Sequence, residues 1–169
     1  MSKYETAQYK VLEKDGSFEI RSYESYVTAV VDEESMKGSR GFNQIFGYIS
    51  GNNAKKEKIS MTTPVMNELA HGKVTTEFVM PSHYSRESLP EPDNTNIQLK
   101  KKEERLCASV TFSGSVYEDK IKEYEEKLRK WVAAKHLKTI GGFRLARYNS
   151  PFTPPIFRRN EILIDVEKT

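Results

Sequence analysis

"IQLKKKEERLCASVTFSGS", residues 97–115, decides the fold of this chain because it repeats an order already met upstream. It reads as a strand, a charged break and a second strand, and it leads into a helical segment. "FEIRSYESYVTAVVDEE", residues 18–34, has the same plan: Val27, Ala29 and Val31 alternate with Thr28, Val30 and Asp32 at the two-residue period of a strand. A helix then follows each copy. In "SRGFNQIFGYISGNN", residues 39–53, Phe42, Ile45, Phe46 and Ile49 recur at i, i+3, i+4, i+7, with Ser39 placed to cap and Gly51-Asn52 to stop. In the later copy Ile121, Tyr124, Leu128, Trp131 and Val132 form one apolar stripe, and Ser115 and Glu118 are spaced as a capping box.

Each helix is followed by two more strand-like runs. "KISMTTPVMNEL" and "KVTTEFVM" flank the turn "AHG" as a hairpin, and "FRLARYNS" and "NEILIDV" close the second copy after Gly141-Gly142 ends the preceding region. "PSHYSRESLPEPDNTN", residues 81–96, is a loop by its Pro, Ser, Asp and Asn content. The expected fold is therefore α+β. Two βαββ pseudo-repeats, about 9–81 and 97–166, form one domain over residues 1–169. Their antiparallel strands share a curved sheet or distorted open β-barrel, with two main helices packed outside.

Composition narrows the function. Twenty-seven Lys and Arg against 24 Asp and Glu leave +3, too small a surplus to predict nucleic-acid binding. The acid-first pairs Glu123/Lys127, Glu125/Arg129 and Glu126/Lys130 mark the second helix's charge run as a solvated face. Cys107, the single cysteine, lies in the apolar run "LCASVTF" as a buried thiol and excludes an internal disulfide. No apolar run is long enough to span a bilayer and the N-terminus lacks a signal-type apolar core, so a cytoplasmic protein without membrane insertion is expected.

In "ARYNSPFTPPIFRRNEILIDV", residues 146–166, Pro151, Pro154 and Pro155 fix φ and remove backbone donors. That stretch should stand as a preformed loop presenting Phe152, Ile156 and Phe157. Arg158 and Arg159 are adjacent in an extended segment and point to opposite sides, so at least one is expected to pair with an acid such as Glu161 or Asp165.

"KISMTTPV" (58–65), "FVMPSHYSRESLPEP" (78–92) and "ARYNSPFTPPIFRRNEILI" (146–164) together resemble the SOUL/haem-binding protein family from about Tyr9 to Val166. The resemblance implies a pair of βαββ units and reversible binding of haem or a related tetrapyrrole between the first helix and the proline-rich loop. It also marks two departures. Some animal members carry a lysine in that loop where this chain has "FTPPIF", and at least one relative uses a histidine for iron near the position of Ser22.

A porphyrin has two apolar faces and two carboxylates, so its site needs apolar walls with cations at the mouth. Phe42, Ile45, Phe46 and Ile49 supply an apolar helix face that serves either as such a wall or as ordinary core. Met61 is placed for a porphyrin face or for gap-filling in the core, and Lys55, Lys56 or Lys58 for a propionate, Lys58 being taken into the candidate set. Phe152, Phe157 and Arg158 complete the candidate set from the loop. His71, His83 and His136 read as solvent-exposed, so binding without a strong axial ligand is expected. No nucleophile–base arrangement, phosphate-cradling loop or dinucleotide fingerprint occurs, and the expected protein is not an enzyme. Two readings remain. One is a carrier or buffer whose partner is a porphyrin-type small molecule; the other is a small-ligand-sensing or protein-interaction module with its protein partner at the C-terminal loop.

Overall fold

The computed structural model describes residues 4–33, 40–70, 73–150 and 152–168. Its strands in chain order are β1 (Glu5–Thr6), β2 (Tyr9–Asp15), β3 (Phe18–Tyr23), β4 (Tyr26–Glu33), β5 (Thr62–Thr63), β6 (Val65–Ala70) and β7 (Lys73–Val79). They continue with β8 (Gln98–Lys102), β9 (Arg105–Phe112), β10 (Leu137–Arg147) and β11 (Asn160–Lys168). Helix α1 is Arg40–Ile49, α2 is Glu118–Ala134, and Pro155–Phe157 form a 3-10 turn.

The chain makes two compact units, and these do not follow the sequence halves. One contains Met1–Ala7 and Ser25–Glu103; the other contains Gln8–Glu24 and Glu104–Thr169. β3 from the first half pairs with β9, setting Ile20 opposite Ala108. β8 from the second half pairs with β4, setting Ala29 opposite Leu99. The charged breaks at Glu24-Ser25 and Glu103-Glu104 are thus the points where the chain crosses from one unit to the other, and each unit contains strands from both halves of the sequence. Among the described residues β2 pairs only with β3 and β8 only with β4, so the strands do not close into a barrel.

In the first unit the order is β8-β4-β7-β6, all antiparallel, with β1 and β5 as a separate parallel pair. β4 alternates as its composition requires: Val27, Ala29 and Val31 enter the core that α1 covers. The helix is rotated from the stripe its spacing predicts. Ile45, Tyr48 and Ile49 are the buried residues, whereas Phe42 and Phe46 are 37% and 47% exposed. Tyr48 is tolerated inside because its hydroxyl donates to the Pro90 carbonyl at 2.7 Å, and burial pushes its phenol up to about 12. At the helix start Glu33 from β4 accepts the Gly41 N–H at 3.0 Å; the expected cap, Ser39, lies outside the described residues. A Cβ on Gly41 would stand 2.5 Å from Thr76 Oγ1, so only glycine permits this close approach of helix to sheet.

In the second unit the order is β2-β3-β9-β11-β10. β2 went unassigned in the sequence because it is an exposed, Lys- and Glu-rich edge strand with little alternation. α2 lays Leu128 and Val132 into the core, stacks Trp131 on Phe18 at 5.2 Å and donates the Trp131 indole N–H to Asp15 at 3.1 Å. Three local expectations change. The capping box does not form: the helix begins after Tyr117 with no side-chain cap, and Glu118 pairs instead with Lys122 at 3.3 Å. Arg129 takes Glu126 at i−3, 2.5 Å away, rather than the i−4 acid Glu125, while Glu123–Lys127 keeps its i,i+4 spacing at 4.0 Å. Finally, β10 runs straight through Gly141-Gly142, because the register shifts between Ile140 and Arg144 and Gly141 takes φ +74 to absorb it.

A buried ion network rigidifies this unit. Arg21, 1% exposed, reaches fully buried Glu161 with two parallel N–H donors at 2.8 and 2.5 Å. Tyr148, Thr111 and Arg159 add donors to the same carboxylate at 2.7, 3.0 and 3.0 Å. Burial alone would push Glu161 up, but the guanidinium contacts prevail and hold it down at about 2. Arg159 is therefore a member of the arginine pair that takes an acid, and Arg158 donates Nε–H to the Thr153 carbonyl at 2.8 Å.

Candidate ligand cavity in the first unit

At the C-terminal end of α1 the chain leaves the helix and folds back along it. Asn53, buried, organises this return: its amide donates to the carbonyls of Tyr48 and Glu57 at 3.0 and 2.8 Å, and its oxygen accepts the N–H groups of Lys55 and Glu57. Ile59 N–H then bonds to the Ile49 carbonyl at 2.8 Å. These bonds place Lys58 through Met61 beside the last turn of the helix.

Two other segments close around it. The turn after β7 is fastened by Tyr84 N–H to the Pro81 carbonyl at 3.1 Å. β1 lies parallel to β5, and Glu5 accepts both the N–H and the hydroxyl of Ser82 at 2.7 and 3.0 Å. Between these pieces is an open cavity of about 590 Å³, within the usual range for small-ligand sites. Phe46, Ile49 and Met61 give its apolar wall, Lys58 its cation, and Glu5 and His83 further polar groups.

The predicted residues divide clearly. Phe46, Ile49, Lys58 and Met61 line this cavity. Ile45 does not: it is fully enclosed in the core, where it supports the wall from behind. Phe42 is not among the lining residues and stacks on Phe46 at 5.8 Å and against Phe78 at 5.2 Å. At Gly47 a Cβ would stand 3.1 Å from the Asn52 side-chain amide. Phe152, Phe157 and Arg158 belong to the second unit and are not among the lining residues. Their loop is preformed, as its prolines predict: Thr153, Phe157 and Arg158 N–H groups bond within it, and its Pro155 carbonyl accepts from Gly114. Phe152, Ile156 and Phe157 are 95%, 74% and 70% exposed.

Tyr4, Glu5 and His83 were not legible as cavity residues. Tyr4 and Glu5 arrive through a parallel pairing of two-residue strands, which carries no periodic signal, and His83 through a loop that composition marks only as a loop.

A model of the SOUL heme-binding protein family matches residues 4–165. The chain belongs to the SOUL family. No curated protein matches it. Among solved structures, the SOUL chain is similar to the EcmrR C-terminal domain at TM-score 0.66 and 12% identity, covering 95% of this chain and 99% of that one. It is also similar to a hydrolase from Listeria innocua at TM-score 0.70 and 12% identity, covering 92% and 94%. At such identity these likenesses bear on the α+β fold alone. Cys107 is fully buried, with its thiol pushed up by that burial, and no cluster of three or more metal-binding side chains occurs among the described residues. Among the described residues no helix is long and apolar enough to cross a membrane.

Proposed function

We propose that this chain reversibly binds haem or a related tetrapyrrole in the cavity beside the end of α1, as a carrier or buffer that performs no catalysis. The observation that carries the reading is Phe46: a large aromatic side chain, 47% exposed on the wall of an open cavity that also holds Lys58. A macrocycle would remove that ring and the exposed part of Met61 from water, at about 25 cal/mol per Å² of apolar area, with buried Ile49 behind them. Lys58, exposed at the rim, would meet a propionate. Binding energy then comes chiefly from the apolar wall, and affinity does not require a strong axial bond. When bound, the iron porphyrin supplies the redox and ligand-exchange chemistry; the protein's part is to shield one face and hold the carboxylates.

Absorbance titration with haemin and with protoporphyrin IX tests this. Saturable binding of both by the wild-type chain, weakened about tenfold in Phe46→Asp with an unchanged circular dichroism spectrum, supports the cavity. Indifference of the wild-type chain to both porphyrins removes the proposal.

A second reading rests on a different observation, the three exposed apolar side chains at 152, 156 and 157. They suit a docking surface for a protein partner. Replacing all three with serine leaves porphyrin binding intact if they serve a partner, and weakens it if they belong to the ligand site.

A further inference from the structure

We infer that His83 is the side chain that binds the iron of a haem held in this cavity, which makes the site selective for the metallated macrocycle. The inference rests on the function proposed above and adds to it a metal-binding role.

Three features of the fold support it. First, His83 is exposed yet lines the same cavity as Phe46 and Met61. It is one of three histidines; His136 lies at the end of α2 in the other unit, and His71 is outside the described residues. Second, the turn that carries it is held on both sides. Ser82 is clamped through its N–H and hydroxyl by Glu5, and Tyr84 packs against the core of the first unit while closing the turn onto Pro81. The His83 ring lies against the Tyr84 ring with centroids 4.2 Å apart, so it is presented by an ordered element although it faces solvent. Third, no hydrogen bond to either imidazole nitrogen occurs among the described residues, which leaves a lone pair for a metal.

The same features identify the class of metal species. A free divalent ion needs three or more protein donors, and no such group exists among the described residues. A single imidazole suffices only for a metal that arrives with its other ligands, and an iron porphyrin brings four nitrogens of its own. Met61 is the other soft donor on the wall, but it is packed against the core cluster and is assigned to contact with the macrocycle.

The test is a parallel titration of the full chain and its His83→Ala and Met61→Leu variants with haemin and with protoporphyrin IX. Expected are a nitrogen-ligated ferric spectrum for wild type and a haemin preference on the order of tenfold over protoporphyrin. His83→Ala should lose both while keeping its protoporphyrin affinity, and added imidazole should restore the nitrogen-ligated band, which a merely structural role would not allow. Met61→Leu should retain ligation. Unchanged haemin spectra and selectivity in His83→Ala overturn the assignment, as does loss of ligation in Met61→Leu alone. Failure of the wild-type chain to bind either porphyrin overturns the cavity reading itself, so the two failures are distinct.

Discussion

α1 and α2 are the helices of the two compact units, yet they treat their aromatic side chains in opposite ways. On and under α2 every ring has a partner: Tyr124 stacks on Phe112 at 4.2 Å and Trp131 on Phe18 at 5.2 Å. On α1, Phe42 and Phe46 stack on each other and still leave much of their surface to water. The units differ likewise in polar chemistry. The second encloses a carboxylate with two arginines, a tyrosine and a threonine, whereas the first leaves Lys58 and His83 exposed beside an open cavity. The two units thus serve two ends: the second is closed by internal pairing, and the first keeps apolar and basic groups available.

The strongest way to break this contrast is at Glu161. Glu161→Gln removes the buried charge shared by Arg21 and Arg159 and leaves Arg21 with Glu19, 2.8 Å away, and a loss of about 3–5 kcal/mol is expected in urea denaturation. The pH dependence has a defined sign. Because the folded carboxyl is held at about 2 against an ordinary value near 4.5, its contribution is complete above 4.5 and disappears as pH falls towards 2. Acid titration of stability should show that loss in wild type and a flatter curve in Glu161→Gln.

Next comes a paired truncation. Leu128→Ala in the closed helix should cost about 2–5 kcal/mol, since the residue is fully buried. Phe46→Ala should cost about 1 kcal/mol or less because half of the ring is already in water. Equal costs in thermal melts would remove the distinction between the helices.

Ligand effects are smaller. Phe46→Asp should weaken haemin and protoporphyrin binding by about tenfold, roughly 1.4 kcal/mol, measured by absorbance titration. Lys58→Gln should weaken it only about two- to fivefold, as suits an exposed ion contact, and the difference from wild type should vanish in high salt. A Lys58→Gln effect that persists in high salt would show that the lysine acts by packing rather than charge.

Much of this was visible in the residues themselves. The stripes at 42–49 and 121–132 located both helices, and the alternation at 27–31 located a core strand. Arg159 took Glu161, as adjacency with Arg158 required of at least one arginine. Four of the nine candidate site residues, Phe46, Ile49, Lys58 and Met61, came together in one cavity. The rotation of α1 was not legible, because Tyr48 could enter the core only if a carbonyl stood ready for its hydroxyl, and that carbonyl belongs to Pro90, 42 residues away. Nor was the continuity of β10 across Gly141-Gly142, since a glycine pair marks a stop and a bulge equally well.

By itself, then, the chain determined its two helices, most of its long strands and its membership of a haem-binding family, because periodicity and long motifs are local properties. Which strand completes which unit was decided only in three dimensions. Two equivalent strands are chemically interchangeable to a local pattern, and only the pairings of β3 with β9 and β8 with β4 distinguish them. The cavity belongs to the same class of fact. Its walls come from residues near 5, 46, 61 and 83, whose common surroundings follow from long-range hydrogen bonds and packing, and no periodicity of a single segment records them.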